Sequence, residues 1–102
     1  KRKFINKKAK REIDRYPLVA IKWTDVISDP AWNTLTAIAK AKLPICVTKG
    51  HLFTQAKGIT KVFGDFVLKN EETGEIDEIG NVTLIPNSII IELKKIYGGV
   101  RN

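Results

Sequence analysis

"GNVTLIPNSIIIEL" (residues 80–93) decides the fold of this chain. It reads as a strand, a two- or three-residue corner at Pro86-Asn87-Ser88, and a second strand. Neighbouring side chains of a strand point to opposite faces, so three consecutive isoleucines cannot share one. Plain alternation puts Ile89, Ile91 and Leu93 on a core face, leaving Ile90, Glu92, Lys94 and Ile96 on the other. Two isoleucines flanking a charged pair on an edge strand suggest a modest interface. Ile90→Lys is then expected to dissociate an oligomer and leave the monomer folded.

Upstream of this corner, "ITKVFGDFVLKN" (59–70) sets Val62, Phe66 and Leu68 on one face, with Gly64 as a point of curvature. "ICVTKGHLFTQ" (45–55) is strand-like, with a bend at Gly50, and "LVAIKW" (18–23) is a strand whose apolar face is Val19, Ile21 and Trp23. Between these two, "SDPAW" (28–32) reads as a helix start, with Asp29 as N-cap and Pro30 in the first position. Trp32, Leu35, Ile38 and Ala39 would form its buried stripe, and Pro44 would bias Leu43 out of the helix. Ile5, Ala9, Ile13 and Tyr16 recur at roughly helical spacing, predicting an N-terminal helical arm that Pro17 stops. Five short curved strands with interior glycines predict a mainly β protein, a small, strongly bent antiparallel barrel. Its expected parts are an arm over 1–16, a barrel over 17–97 with a helix after the first strand, and a tail over 98–102.

In this order the segments resemble the Sm/LSm barrels, a Src-homology-3-like architecture. "VAIKWTD" matches the first strand, "TKGHL" (Gly50, Leu52) the Gly-x-Leu of the second, "FVLKN" the third, and "IGNVTLIPNSIIIEL" the paired last strands. The spacing of Trp23, Asp25, Trp32, Thr48, Gly50, Ile85 and Pro86 also resembles small phage-encoded proteins with this barrel. The resemblance implies a homo-oligomeric ring of about five to seven subunits, the fourth strand pairing with the next subunit's fifth. Val82, Leu84, Ile90 and Ile96 would then line the interface. It also implies binding of RNA or single-stranded DNA through two loops, one with Gln55, Lys57 and Lys61, the other with Asn87 and Ser88. A phage origin would put the protein in the host cytoplasm. Two departures are visible: Pro86-Asn87 replaces the family's Arg-Gly pair, and "QAKGITK" lacks its nucleotide-binding Asp and Asn.

Charge supports the same class of partner. Of the net +7, residues 1–15 carry +6 through Lys1, Arg2, Lys3, Lys7, Lys8, Lys10, Arg11 and Arg15 against Glu12 and Asp14. The first seven of those basic residues are candidate phosphate contacts, with salt-sensitive, sequence-tolerant affinity. Glu71, Glu72, Glu75, Asp77 and Glu78 form an acidic loop. The rival expectation is a structural or protein-interaction ring in which the basic arm docks on a neighbour's acidic loop.

No catalytic or metal-binding pattern stands out. Cys46 is the only cysteine and His51 the only histidine, and at five residues' separation on a strand they are expected on opposite faces. No His/Cys ligand set, calcium loop or glycine-rich phosphate loop is present, so no enzyme, metal or cofactor is expected. One cysteine fits a reducing, cytoplasmic compartment, and no apolar run reaches membrane-spanning length. Lacking any methionine, the chain is expected to lack the gene's own start.

Overall fold

The computed structural model describes residues 11–96. The expected arm residues 1–10 and tail 98–102 lie outside them. Five strands, β1 (Leu18–Thr24), β2 (Ile45–Ala56), β3 (Ile59–Asn70), β4 (Glu75–Pro86) and β5 (Ile90–Lys95), form one antiparallel sheet in the order β4-β3-β2-β1-β5. One helix, α1 (Leu35–Lys40), interrupts the connection between β1 and β2.

Topology forces the sheet to curve. β4 and β5 are consecutive in the chain yet occupy opposite edges. On a flat sheet those edges would stand four strand spacings apart, about 19 Å. The chain between Pro86 and Ile90, a single turn of 3-10 helix over Asn87–Ile89, can span at most about 14 Å. The sheet therefore rolls toward itself around a core of Val19, Ile21, Val62 and Ile85, with Trp23, Leu52, Ile89, Ile90 and Leu93 packed against it. Gly50 lets the roll tighten. A Cβ there would sit 3.0 Å from the Phe63 carbonyl oxygen and 3.4 Å from Val62 Cβ.

The expected bent barrel does not close. Among the described residues β4 pairs only with β3 and β5 only with β1, which leaves an open sheet. With 6 residues against 12 in β4, β5 could cover at most half of that edge. The curvature assigned to Gly64 is shared across the ladder. Its neighbour Asn81 adopts the left-handed conformation (φ 52°) and donates from Nδ2 to Asp65 Oδ2 at 2.7 Å.

Plain alternation fails in β5. Ile21 pairs with Leu93 and Lys22 with Glu92, but Trp23 pairs with Ile90, so Ile91 is an extra, bulged residue. The bulge resets the face: Ile90 packs on the core and Ile91 is 54% exposed. The expectation that Ile90 points away from the core is thereby corrected. Ile96 is half-buried, its N–H bonded to the Leu18 carbonyl at 2.9 Å.

A second bulge, at Phe53 in β2, helps build an aromatic cluster on the opposite face of the sheet. Phe63 is fully buried there, with Tyr16, His51, Phe53 and Phe66 around it at centroid distances of 5.2–6.5 Å. Tyr16 follows a turn of 3-10 helix over Glu12–Arg15, the described end of the predicted arm. That turn is fastened to β4, where Glu12 Oε1 accepts the Ile76 N–H at 2.8 Å.

The connection over residues 25–44 differs most from expectation. Thr34, not Asp29, caps the helix, its Oγ1 accepting the Ala37 N–H at 3.1 Å. Asp29 instead folds a local turn, accepting from the Ala31 N–H at 3.0 Å and Asn33 Nδ2 at 3.2 Å. Those two bonds, the backbone one first, hold its carboxyl below the usual carboxylate range. The apolar stripe covers nothing: α1 has no buried residue, Trp32 is 101% exposed and Leu35 89%.

Candidate nucleic-acid interface

The two loops singled out in the sequence meet in space. Ala56 and Ile59 are the last paired residues of the β2–β3 hairpin, so Lys57-Gly58 is a two-residue turn. Both have positive φ, 54° and 80°, as a type I′ turn requires. Lys57 is the unusual member, because a side chain in this region costs roughly 1–2 kcal/mol. The β4–β5 corner is tied to this hairpin by two bonds. The Asn87 N–H donates to the Gly58 carbonyl at 2.9 Å, and the Thr60 hydroxyl donates to Asn87 Oδ1 at 2.6 Å. Thr60 is wholly buried, so its hydroxyl needs that partner, and the bond fixes the Asn87 side chain.

The candidates do not all share a face. Gln55 pairs with Thr60 and so stands on the rim beside Asn87. Lys57 projects from the tip, and Ser88 lies exposed in the corner. Lys61, next to Thr60 in the strand, points to the other side, opposite Leu84 of β4. Arg11 is the one described member of the basic arm set, and it lies far from this end. Its side chain packs on Gly74 in the β3–β4 hairpin, where an added Cβ would meet Arg11 atoms at 2.7 Å. The other six arm candidates, Lys1, Arg2, Lys3, Lys7, Lys8 and Lys10, lie outside the described residues.

Charge divides along β3. At one end, residues 53–63 and 80–91 carry Lys57 and Lys61 and no carboxylate. At the other, Glu71, Glu72, Glu75, Asp77 and Glu78 stand with Lys69, which pairs with Glu75 at 3.9 Å, and with Arg11 on Gly74. The ends are separated by the length of a 12-residue strand, about 40 Å if it were straight.

Of the interface candidates, Val82 and Leu84 lie half-exposed on the outward face of edge strand β4. Ile90 does not accompany them; Ile91, which alternation had assigned to the core, is the exposed member of that run. The aromatic cluster was also missed from sequence. Its signal was the recurrence of rings at 51, 53, 63 and 66, obscured by a bulge that breaks the period of two.

Cys46 and His51 do face opposite sides. Cys46 pairs with Trp23 on the core side, whereas His51 stacks on Phe63 and donates from Nδ1 to the Tyr16 carbonyl at 3.0 Å. Among the described residues no group of three His, Cys, Asp or Glu side chains converges to hold a metal ion. No helix among them is long and apolar enough to cross a membrane.

No protein-family model matches this chain, and no curated protein or solved structure matches it. The geometry of the described residues defines the class: a mainly β protein, with five antiparallel strands in one open sheet and one short helix.

Proposed function

We propose that this protein is a self-associating, Sm-like module that binds RNA or single-stranded DNA, mainly through phosphate contacts. The observation that carries the reading is the lock between the β2–β3 turn and the β4–β5 corner. It holds Gln55, Lys57, Asn87 and Ser88 on one rigid end whose two loops carry no carboxylate of their own, with Lys61 on its outer side. Side chains held by a scaffold lose less freedom on binding than a loose loop would. Lysines neutralise phosphates and release counterions, while Asn, Ser and Gln offer hydrogen bonds to sugar or base. The +6 of residues 1–15 adds long-range attraction.

Self-association would use the two sheet edges. β4 presents Val82 and Leu84 beside a row of unpaired backbone groups, a surface that invites another strand. A ring, a phage source and a place in the host cytoplasm belong to the same reading and rest on the sequence resemblance.

Fluorescence anisotropy with labelled single-stranded RNA and DNA tests the proposal. The paired charge reversal Lys57→Glu, Lys61→Glu should weaken binding by about tenfold or more at low salt. Unchanged affinity would overturn the assigned surface. A structural or protein-interaction role is the second reading, favoured by one observation: Arg11, the described end of the basic arm, already rests on the acidic β3–β4 hairpin.

A further inference from the structure

The β1–β2 connection and the acidic end of the sheet are complementary, and neither has a role in the nucleic-acid reading. A cleft of about 260 Å³ opens between the Glu12–Arg15 turn, β2 and the start of β4. Tyr16, Phe53, Ile76 and Ile79 form its apolar lining, and Glu12, Asp77 and Glu78 supply carboxylates. Arg11 and Arg15 flank it and Lys69 lies in the hairpin beside it, but that hairpin also adds Glu71, Glu72 and Glu75, so acid predominates among the described residues. The connection carries the converse pattern. Trp32, Leu35 and Ile38 are exposed apolar groups, with the positive charges of Lys40 and Lys42 after them and Asp25 and Asp29 on their far side.

We propose that the connection of one copy docks in the cleft of a second copy, with Trp32 as its anchor and Lys40 and Lys42 against the acidic rim. Three observations point to a second copy. The apolar and charged features match in kind; the cleft has room for a large aromatic side chain; and the connection stays undocked on its own sheet, exposed throughout residues 25–44. It leaves the sheet where Thr24 pairs with Ile45, whereas Tyr16 and Phe53 lie toward the other end of the β1–β2 pair. A Trp seated in an apolar pocket with charges at the rim is the usual composition of an interface anchor. Repeated head-to-tail, the contact extends into a ring or a filament; made reciprocally, it closes a two-fold dimer.

Sedimentation velocity over a micromolar concentration series tests this. All chains carry Leu84→Lys, which charges the β4 edge, so that failure of edge pairing and failure of this contact are distinguishable. The parent should associate with rising concentration. Trp32→Ala, with an intact cleft, and the double variant Asp77→Lys, Glu78→Lys, with an intact connection, should each be monomeric, with the parent's far-UV circular dichroism. Mixed in equal amounts they should form a two-chain species and nothing larger, since only one good contact can form. Three results would overturn the proposal: a parent that stays monomeric, a Trp32→Ala chain that associates like the parent, or a mixture that stays monomeric.

Discussion

The sheet and the β1–β2 connection use the same kinds of residue to opposite ends. In the sheet, Val19, Ile21, Val62, Phe63 and Ile85 are buried to within a few hundredths of their surface. In the connection, Val26, Ile27, Trp32, Leu35, Ile38 and Leu43 are all exposed. The difference lies in what each residue can reach. A strand in a rolled sheet meets neighbours on both flanks and across the core. A 6-residue helix on a long connection meets none unless another surface arrives. Apolar pattern identifies a face that needs covering; topology decides whether the same chain covers it.

The largest expected effects test that contrast directly. Phe63→Ala removes a wholly buried ring from the aromatic cluster and should cost about 3–5 kcal/mol in urea unfolding. Trp32→Ala, a comparable truncation, should change stability by no more than about 0.5 kcal/mol. Similar losses for both would mean that the connection packs on its own sheet.

Ile90 and Ile91 sharpen the comparison within a single strand. With the bulge in β5, Ile90→Lys forces a charge against the core and should unfold the chain or lower its melting temperature steeply. Ile91→Lys should be tolerated. Thermal melts of the two variants decide between the bulged register and plain alternation, which predicts the reverse order.

Much of the fold was legible in the sequence and some was not, for identifiable reasons. All five strands and the β4–β5 corner followed from alternation and turn residues, because both are local properties, but β4 begins at Glu75, inside the segment expected as an acidic loop. The order that sets β5 beside β1, and the openness of the roll, depend on strand lengths that meet only in space. The bulges at Phe53 and Ile91 shift the period by one residue, which no fixed period of two can register. The helix start was misplaced because Asp29 caps a turn as readily as a helix. At the candidate site, Lys57, Gln55, Asn87 and Ser88 were legible as loop residues. That Thr60 locks those loops together was not, since a lone threonine in a strand carries no mark of its partner 27 positions away.

Smaller effects probe that lock. Thr60→Val keeps the shape but removes the donor to Asn87, which should cost about 1–3 kcal/mol and loosen the corner. Faster amide exchange at Asn87 with the core unaffected would be the signature. Lys57→Asn should act in the other direction on stability. It creates the Asn-Gly pair that suits a type I′ turn and should stabilise by up to about 1 kcal/mol. The same change removes a cation, so melting temperature should rise while nucleic-acid affinity falls. A fall in both would show that Lys57 is tied into the fold by something other than its turn.

Binding of a single-stranded oligonucleotide by the full chain, measured from low to physiological salt, tests the central functional claim most directly. The account predicts binding at low salt, a linear fall of log affinity with log salt concentration, and a shallower slope in the Lys57→Glu, Lys61→Glu variant. No binding of RNA or DNA at the lowest salt, or a slope indifferent to those lysines, would contradict it.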